Sequence, residues 1–205
     1  MDSIYQIKKN LMAGNVLLLP TDTIPGLSFD PRNKKAAQWV YSYKQRPQTK
    51  PFVHLVGSVT KAQSFWEPLP PGWPEAIKKA WPAPLTIVWK STLVPNGSLG
   101  LRFPKLTKES QWMHTLLKDL PFPLPTTSVN FSGQEASSSW DEACKQLKET
   151  ECYIPSFPNK PTCYGKASTV VKILDSKSYC ILRHGTVSKK ELKTIWQDFA
   201  IIETT

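Results

Sequence analysis

Three of this chain's pairings of serine with Glu or Gln three residues later stand just before helix-like runs: Ser3 with Gln6, Ser139 with Glu142, and Ser188 with Glu191. Each marks a helix start, because the serine hydroxyl accepts from the third backbone N–H and the longer side chain reaches back. Between these starts lie short, mostly apolar runs at 16–19, 52–56, 85–89 and 99–103. Runs of that length, bounded by turn residues, read as strands. Interspersed helices and strands favour a layered α/β domain.

The remaining punctuation fills in the order. Ile4, Ile7 and Leu11 follow a helical period, and Gly14 stops it. Asp30-Pro31 opens a helix that turns Ala36, Ala37, Val40 and Tyr41 inward. A short helix starts near Thr60, another covers 75–81, and Pro82-Ala83-Pro84 breaks it. Helix signal returns over 108–119, and again from Ser139 to about Glu149. Residues 125–129, 168–174 and 179–182 read as extended, the last two joined by a tight turn. That turn and the close spacing of 85–103 predict some antiparallel pairing. The expectation is an open, twisted, mixed parallel/antiparallel sheet with helices. No repeat or linker divides the chain, so 1–205 reads as a single domain. Residues 186–205 read as a C-terminal helix, through about Phe199, packed on the core.

Charge narrows the partners. The chain has 26 Lys and Arg against 16 Asp and Glu, a net charge of +10. Such an excess favours an anion: nucleotide, nucleic acid or acidic membrane surface. The four cysteines, Cys144, Cys152, Cys163 and Cys180, show no CxxC spacing, which argues against a structural zinc site. The longest apolar run near the N-terminus, 16–19, is far short of a membrane span. The expectation is a cytoplasmic protein with no membrane association.

The groups able to carry chemistry cluster at predicted strand ends and one loop. Lys44, Arg46 and Lys50 put three fixed charges into a loop stiffened by Pro47 and Pro51, suited to several phosphate oxygens. Thr21, Asp22 and Thr23 end the first strand, where ligands of α/β folds bind. Ser128 and Asn130 alternate onto one side, and both can bond phosphate, carboxylate or ribose oxygens. Ser168 and Thr169 begin a strand; Arg183 and His184 end one. Arg102 stands alone in an apolar strand and needs a partner or a ligand. The chain holds no GxGxxG, GxxxxGK[ST] or GxSxG, and His54, His114 and His184 are dispersed. Catalysis by positioning and charge remains, as in phosphoryl or adenylyl transfer, usually with magnesium.

In this order the segments resemble the YrdC family of threonylcarbamoyl-AMP synthases, in its short, single-domain form. The resemblance rests on Pro20-Thr21-Asp22-Thr23-Ile24-Pro25-Gly26-Leu27, Lys44-Gln45-Arg46-Pro47 with Lys50-Pro51, and Trp81-Pro82-Ala83-Pro84-Leu85-Thr86. It continues through Leu101-Arg102-Phe103-Pro104, Thr127-Ser128-Val129-Asn130-Phe131-Ser132-Gly133, Ala167-Ser168-Thr169-Val170-Val171 and Ile181-Leu182-Arg183-His184-Gly185. Each segment is weak alone; seven in order are specific.

The resemblance implies a positively charged concave face and an ATP-dependent reaction. L-Threonine and bicarbonate give a carbamate, which attacks the α-phosphate of ATP. Pyrophosphate leaves and threonylcarbamoyl-AMP forms. A separate transferase then carries the threonylcarbamoyl group to N6 of adenosine at tRNA position 37. The motif match assigns Lys44, Arg46, Lys50, Ser128 and Asn130 to the nucleotide phosphates and the reacting group, with Arg183 also on the nucleotide. Thr23 and His54 would seat threonine, Arg102 would reach a substrate, and Ser168 and Thr169 would line the same cavity. Mg2+ would be held mainly by the substrate phosphates.

Three positions depart from the family pattern: Pro25, Ala83 and Ala167, where glycine or proline is common at the last two. They alter loop shape more than charge. The alternative is a non-catalytic RNA-binding protein using the same basic face, although no RNP1 or KH-type GxxG is present. Weak tRNA binding is compatible with either reading.

Overall fold

The structure is a computed structural model that describes residues 2–157, 159–163 and 165–203. One nine-stranded sheet organises it, in the order β1-β2-β6-β3-β5-β4-β7-β8-β9. The strands are β1 (Leu17–Leu19), β2 (Gly26–Ser28), β3 (Val53–Leu55), β4 (Leu85–Lys90), β5 (Ser98–Arg102), β6 (Leu124–Ser128), β7 (Thr169–Ile173), β8 (Ser178–Arg183) and β9 (Ala200–Ile202). The pairs β3/β5, β4/β7 and β8/β9 are parallel and the other five are antiparallel. The mixed sheet is therefore as the sequence implies.

Among the described residues seven helices cover it: α1 (Ile4–Met12), α2 (Lys34–Tyr43), α3 (Val59–Gln63), α4 (Trp73–Ala80), α5 (Trp112–Asp119), α6 (Trp140–Leu147) and α7 (Lys189–Ile195). Reciprocal capping boxes close α1 at Ser3/Gln6 and α7 at Ser188/Glu191. At α6 the Ser139 hydroxyl caps Glu142 N, but the Glu142 carboxylate bonds Ser138 N instead, at 3.1 Å. No helix among the described residues is long and apolar enough to cross a membrane.

Several boundaries differ from the sequence reading, each for a local reason. Helix α2 begins four residues after Asp30, because the Asp30 carboxylate accepts from Arg32 N and Asn33 supplies the cap to Ala36 N. Helix α5 begins at Trp112, because Ser110 Oγ accepts from Thr107 N and closes a turn first. The C-terminal segment is not one helix. Trp196 is buried against α4, its indole donating to Ala76 O, and leaves helical geometry. The chain turns there and adds β9 to the sheet edge.

Alternation along the central strands separates core from site. Leu85, Ile87 and Trp89 of β4 and Leu99 and Leu101 of β5 join Trp66, Trp73, Trp81 and Trp196 in the largest core cluster, beneath α4 and α7. This is where most of the chain's tryptophan goes, burying a large apolar area per residue. The intervening residues Thr86, Val88, Gly100 and Arg102 face the other way, into a cavity. Separate clusters under α1 and α5, and under α2 and α6, flank that cavity's ends.

Candidate active site

The cavity has a volume of about 630 Å³. Its floor is the exposed face of β5, β4 and β7. One wall is the loop after α2, another is the turn after β6, and a third is the end of β8. Six cations line it, namely Lys44, Arg46, Lys50, Arg102, Lys172 and Arg183, and no carboxylate does among the described residues. Such a lining is unfavourable until an anion enters.

Lys44 lines the cavity and is also bonded within the protein. It ends α2 and is 1% exposed. Its ammonium donates to Ser128 O, to Asn130 O at 2.6 Å and to Asn130 Oδ1 at 3.1 Å. An ammonium has three hydrogens, so its donors are used within the protein. Lys44 thus ties the end of α2 to the turn after β6. Burial, with the neighbouring Arg46 and Lys50 charges, pushes its pKa down to about 8. Asn130 is held on both sides: Oδ1 also accepts from Ser128 Oγ, and Nδ2 donates to Phe131 O at 2.9 Å and Gln134 O at 2.7 Å.

Arg46 and Lys50 carry the loop's free charge. Arg46 donates to Lys50 O at 3.3 Å and Pro51 O at 2.6 Å, and lies 5.1 Å from the Phe52 ring centroid. These contacts aim its guanidinium along the wall, and burial holds its pKa below the usual arginine value. Lys50 is exposed at the cavity rim.

Thr23 and Arg102 meet at the end of the floor. Arg102 Nη1 donates to Thr23 Oγ1 at 3.0 Å, and Thr21 Oγ1 lies 2.9 Å from the same hydroxyl. On the opposite wall Arg183 donates twice to Ser168 O, at 3.0 and 3.2 Å, and to Ser168 Oγ at 3.1 Å. Ser168 Oγ is 2.9 Å from Thr86 Oγ1. Burial and the charges of Arg102 and Arg46 hold Arg183 below its ordinary pKa. Arg183 therefore feels the charges of Arg102 and Arg46 as well as its own burial. Gly185 allows the Ser168 backbone to come this close: a Cβ there would lie 2.3 Å from Ser168 C.

Two expected residues lie elsewhere. His54 pairs with Leu101 and Pro125 on neighbouring strands, which puts it on the core face, opposite Val53. Burial pushes its imidazole down to about 4, so it stays neutral. It is not among the residues that line the cavity. Thr169 is fully buried beside Ser168 but on the other face, its hydroxyl donating to Val187 O at 2.6 Å. Residues that motif reading left out are Thr86 and Lys172. A threonine or lysine at alternate positions of an apolar strand is the signal that would have found them, once the strand's phase was known.

The matches to known proteins agree with this geometry. The Sua5_yciO_yrdC family model, described as telomere recombination, matches residues 9–185. A threonylcarbamoyl-AMP synthase of Hydrogenovibrio crunogenus is 31% identical over 149 residues, covering 70% of this chain and 80% of that protein. One from Aliivibrio fischeri is 27% identical over 191 residues, covering 90% of this chain and 100% of that protein. The crystal structure of P. abyssi Sua5 complexed with L-threonine shares the fold, with a TM-score of 0.80 at 22% identity. It covers 98% of this chain, which spans 60% of that longer one. The matched stretch contains every residue that lines the cavity, and this chain belongs to the Sua5/YciO/YrdC family.

Proposed function

We propose that the protein makes L-threonylcarbamoyladenylate from L-threonine, bicarbonate and ATP, with release of pyrophosphate. The single observation that carries this reading is the cavity itself: six cations and no carboxylate among its described lining residues, walled by the family's own segments. Relatives of matching length are named threonylcarbamoyl-AMP synthases, and a structural neighbour was solved with L-threonine. Both favour catalysis over non-catalytic RNA binding on the same face.

The chemistry needs no protein nucleophile. The threonine amine adds to bicarbonate with loss of water. A carbamate oxygen then attacks the α-phosphorus, and the bond to pyrophosphate breaks. Negative charge builds on the departing oxygens, where Arg46, Lys50 and Arg183 stabilise it without reorganising. Arginine's planar fork can hold two oxygens at once. Ser128 and Asn130, locked by Lys44, line the cavity as a fixed polar edge for the nucleotide. Thr23 and Arg102 supply the polar end that suits an amino acid's carboxylate and hydroxyl.

No cluster of three metal-ligating side chains occurs among the described residues. The lining offers no carboxylate to a metal ion among the described residues, so a magnesium ion arriving on the nucleotide would be held mainly by its phosphates. That ion would supply further neutralisation of the pyrophosphate. In this reading residues 1–205 act as one domain in the cytoplasm, and the product passes to a separate tRNA threonylcarbamoyl transferase.

The test is pyrophosphate release that requires L-threonine and bicarbonate together. Lys50→Glu should abolish release while lowering bulk RNA binding only modestly. Tight RNA binding lost in Lys50→Glu, with no release from the unmodified protein, would establish the RNA-binding alternative instead.

A further inference from the structure

One carboxylate adjoins this cationic cavity without lining it. Asp22 follows Thr21 at the end of the first sheet hairpin's entry strand, and its side chain is 0% exposed. Oδ2 accepts from Lys105 N at 3.0 Å. Oδ1 faces Arg102 Nε at 3.5 Å, and neither of these two buried atoms has a hydrogen-bond partner. Arg102 is itself 5% exposed in its side chain, and its Nη1 uses one of its two hydrogens on Thr23. Among the described residues no protein group accepts from its Nη2, which is not enclosed as Nε is.

This pair is poorly built for stability. Burying both charges removes their hydration, and a 3.5 Å contact without a hydrogen bond does not recover that loss well. It is well built for aiming. A carboxylate set against Nε fixes the plane of a guanidinium and leaves its outer nitrogens as a fork for an oxyanion. Asp22 cannot swing with Arg102, because Lys105 N holds its other oxygen.

We propose that Asp22 is a positioning residue: it orients Arg102 so that the outer guanidinium nitrogens meet a substrate oxyanion, either threonine's carboxylate or a nucleotide phosphate. This rests on the synthase reading above. Asp22 touches no substrate and acts only through Arg102.

Asp22→Asn keeps the shape and an acceptor for Lys105 N but removes the charge. The experiment measures affinity for ATP and for L-threonine separately by calorimetry, together with steady-state kinetics and melting temperature. Hydrogen bonds to charged groups predict a loss of about 10- to 100-fold for the ligand that Arg102 holds. The other ligand should bind within about twofold of normal, so the affected ligand identifies the oxyanion. Arg102→Lys should weaken the same ligand, and the double variant should be no worse than Arg102→Lys alone, since coupled residues are not additive. Asp30→Asn is the structural control. Asp30 is comparably buried and paired with Arg32, outside the cavity lining. It should lower the melting temperature as much as Asp22→Asn does while leaving both affinities unchanged. Asp22→Glu, which keeps the charge but displaces it, serves with the same expectations if Asp22→Asn does not fold.

The proposal is overturned if the Asp22 variants bind both ligands normally. It is equally overturned if their losses add to those of Arg102→Lys, or merely follow the melting temperature as in Asp30→Asn. Normal turnover by the unmodified protein alongside any of these results leaves the synthase reading standing. Failure of the unmodified protein to bind either ligand removes both.

Discussion

At the scale of single residues, Lys44 separates what a motif says from what a contact does. The motif places it on phosphate; its three acceptors place it on the turn that carries Ser128 and Asn130. Lys44→Met should remove the ammonium from two half-buried carbonyls and cost about 1–3 kcal/mol in denaturant unfolding. The same variant should lower adenylate synthesis by loosening that turn. Its lowered pKa gives a second check. The folded value of about 8 lies below the ordinary 10.5, so between these the unfolded chain holds more protons. In that window this group raises folding stability as pH rises. Activity should move the opposite way, with kcat/KM falling above about pH 8 as the ammonium is lost. A kcat/KM profile flat to pH 10 would contradict the assignment. Arg46 should behave as a direct contact: Arg46→Ala should lower kcat about 100-fold with little change in melting temperature. The role of Lys44 was not legible in the sequence, because its partners lie more than eighty residues away.

At the scale of elements, the site depends on strand phase and on close approach. Gly185 lets the end of β8 lie against Ala167–Thr169, and Arg183 reaches Ser168 across that contact. Gly185→Ala would drive a Cβ to within 2.3 Å of Ser168 C. It should cost about 2 kcal/mol or more by overpacking and weaken nucleotide binding with it. Equal ATP affinity in a destabilised Gly185→Ala protein would show that Ser168 and Arg183 are not set by this contact. Type and order were legible from capping serines, apolar runs and prolines for the elements other than β2 and β9. Facing was not: His54 and Thr169 sit in correctly read strands but on the core side, since a one-residue phase error inverts every side chain. The edge strand β9 was not legible either. Its three residues carry no periodicity, and it forms because Trp196 is drawn into the core beneath α4.

At the scale of the whole molecule, basic charge is useful where it converges rather than where it is abundant. Arg46, Arg102 and Arg183 share one cavity without a carboxylate lining it among the described residues, and Arg183 registers the other two in its lowered pKa. Anions should therefore stabilise the fold. Pyrophosphate at a hundred times its Kd should add about 2.7 kcal/mol and raise the melting temperature, with the shift shrinking as ionic strength rises. The absence of any shift would mean that the cavity does not bind phosphates. The central claim, that this cavity assembles a threonylcarbamoyl adenylate, is tested most directly by mass analysis of the reaction with ATP, L-threonine and carbon-13 bicarbonate. The account predicts a threonine-dependent adenylate whose mass carries the labelled carbon, together with pyrophosphate. A folded protein that binds ATP and threonine yet yields neither product would contradict it.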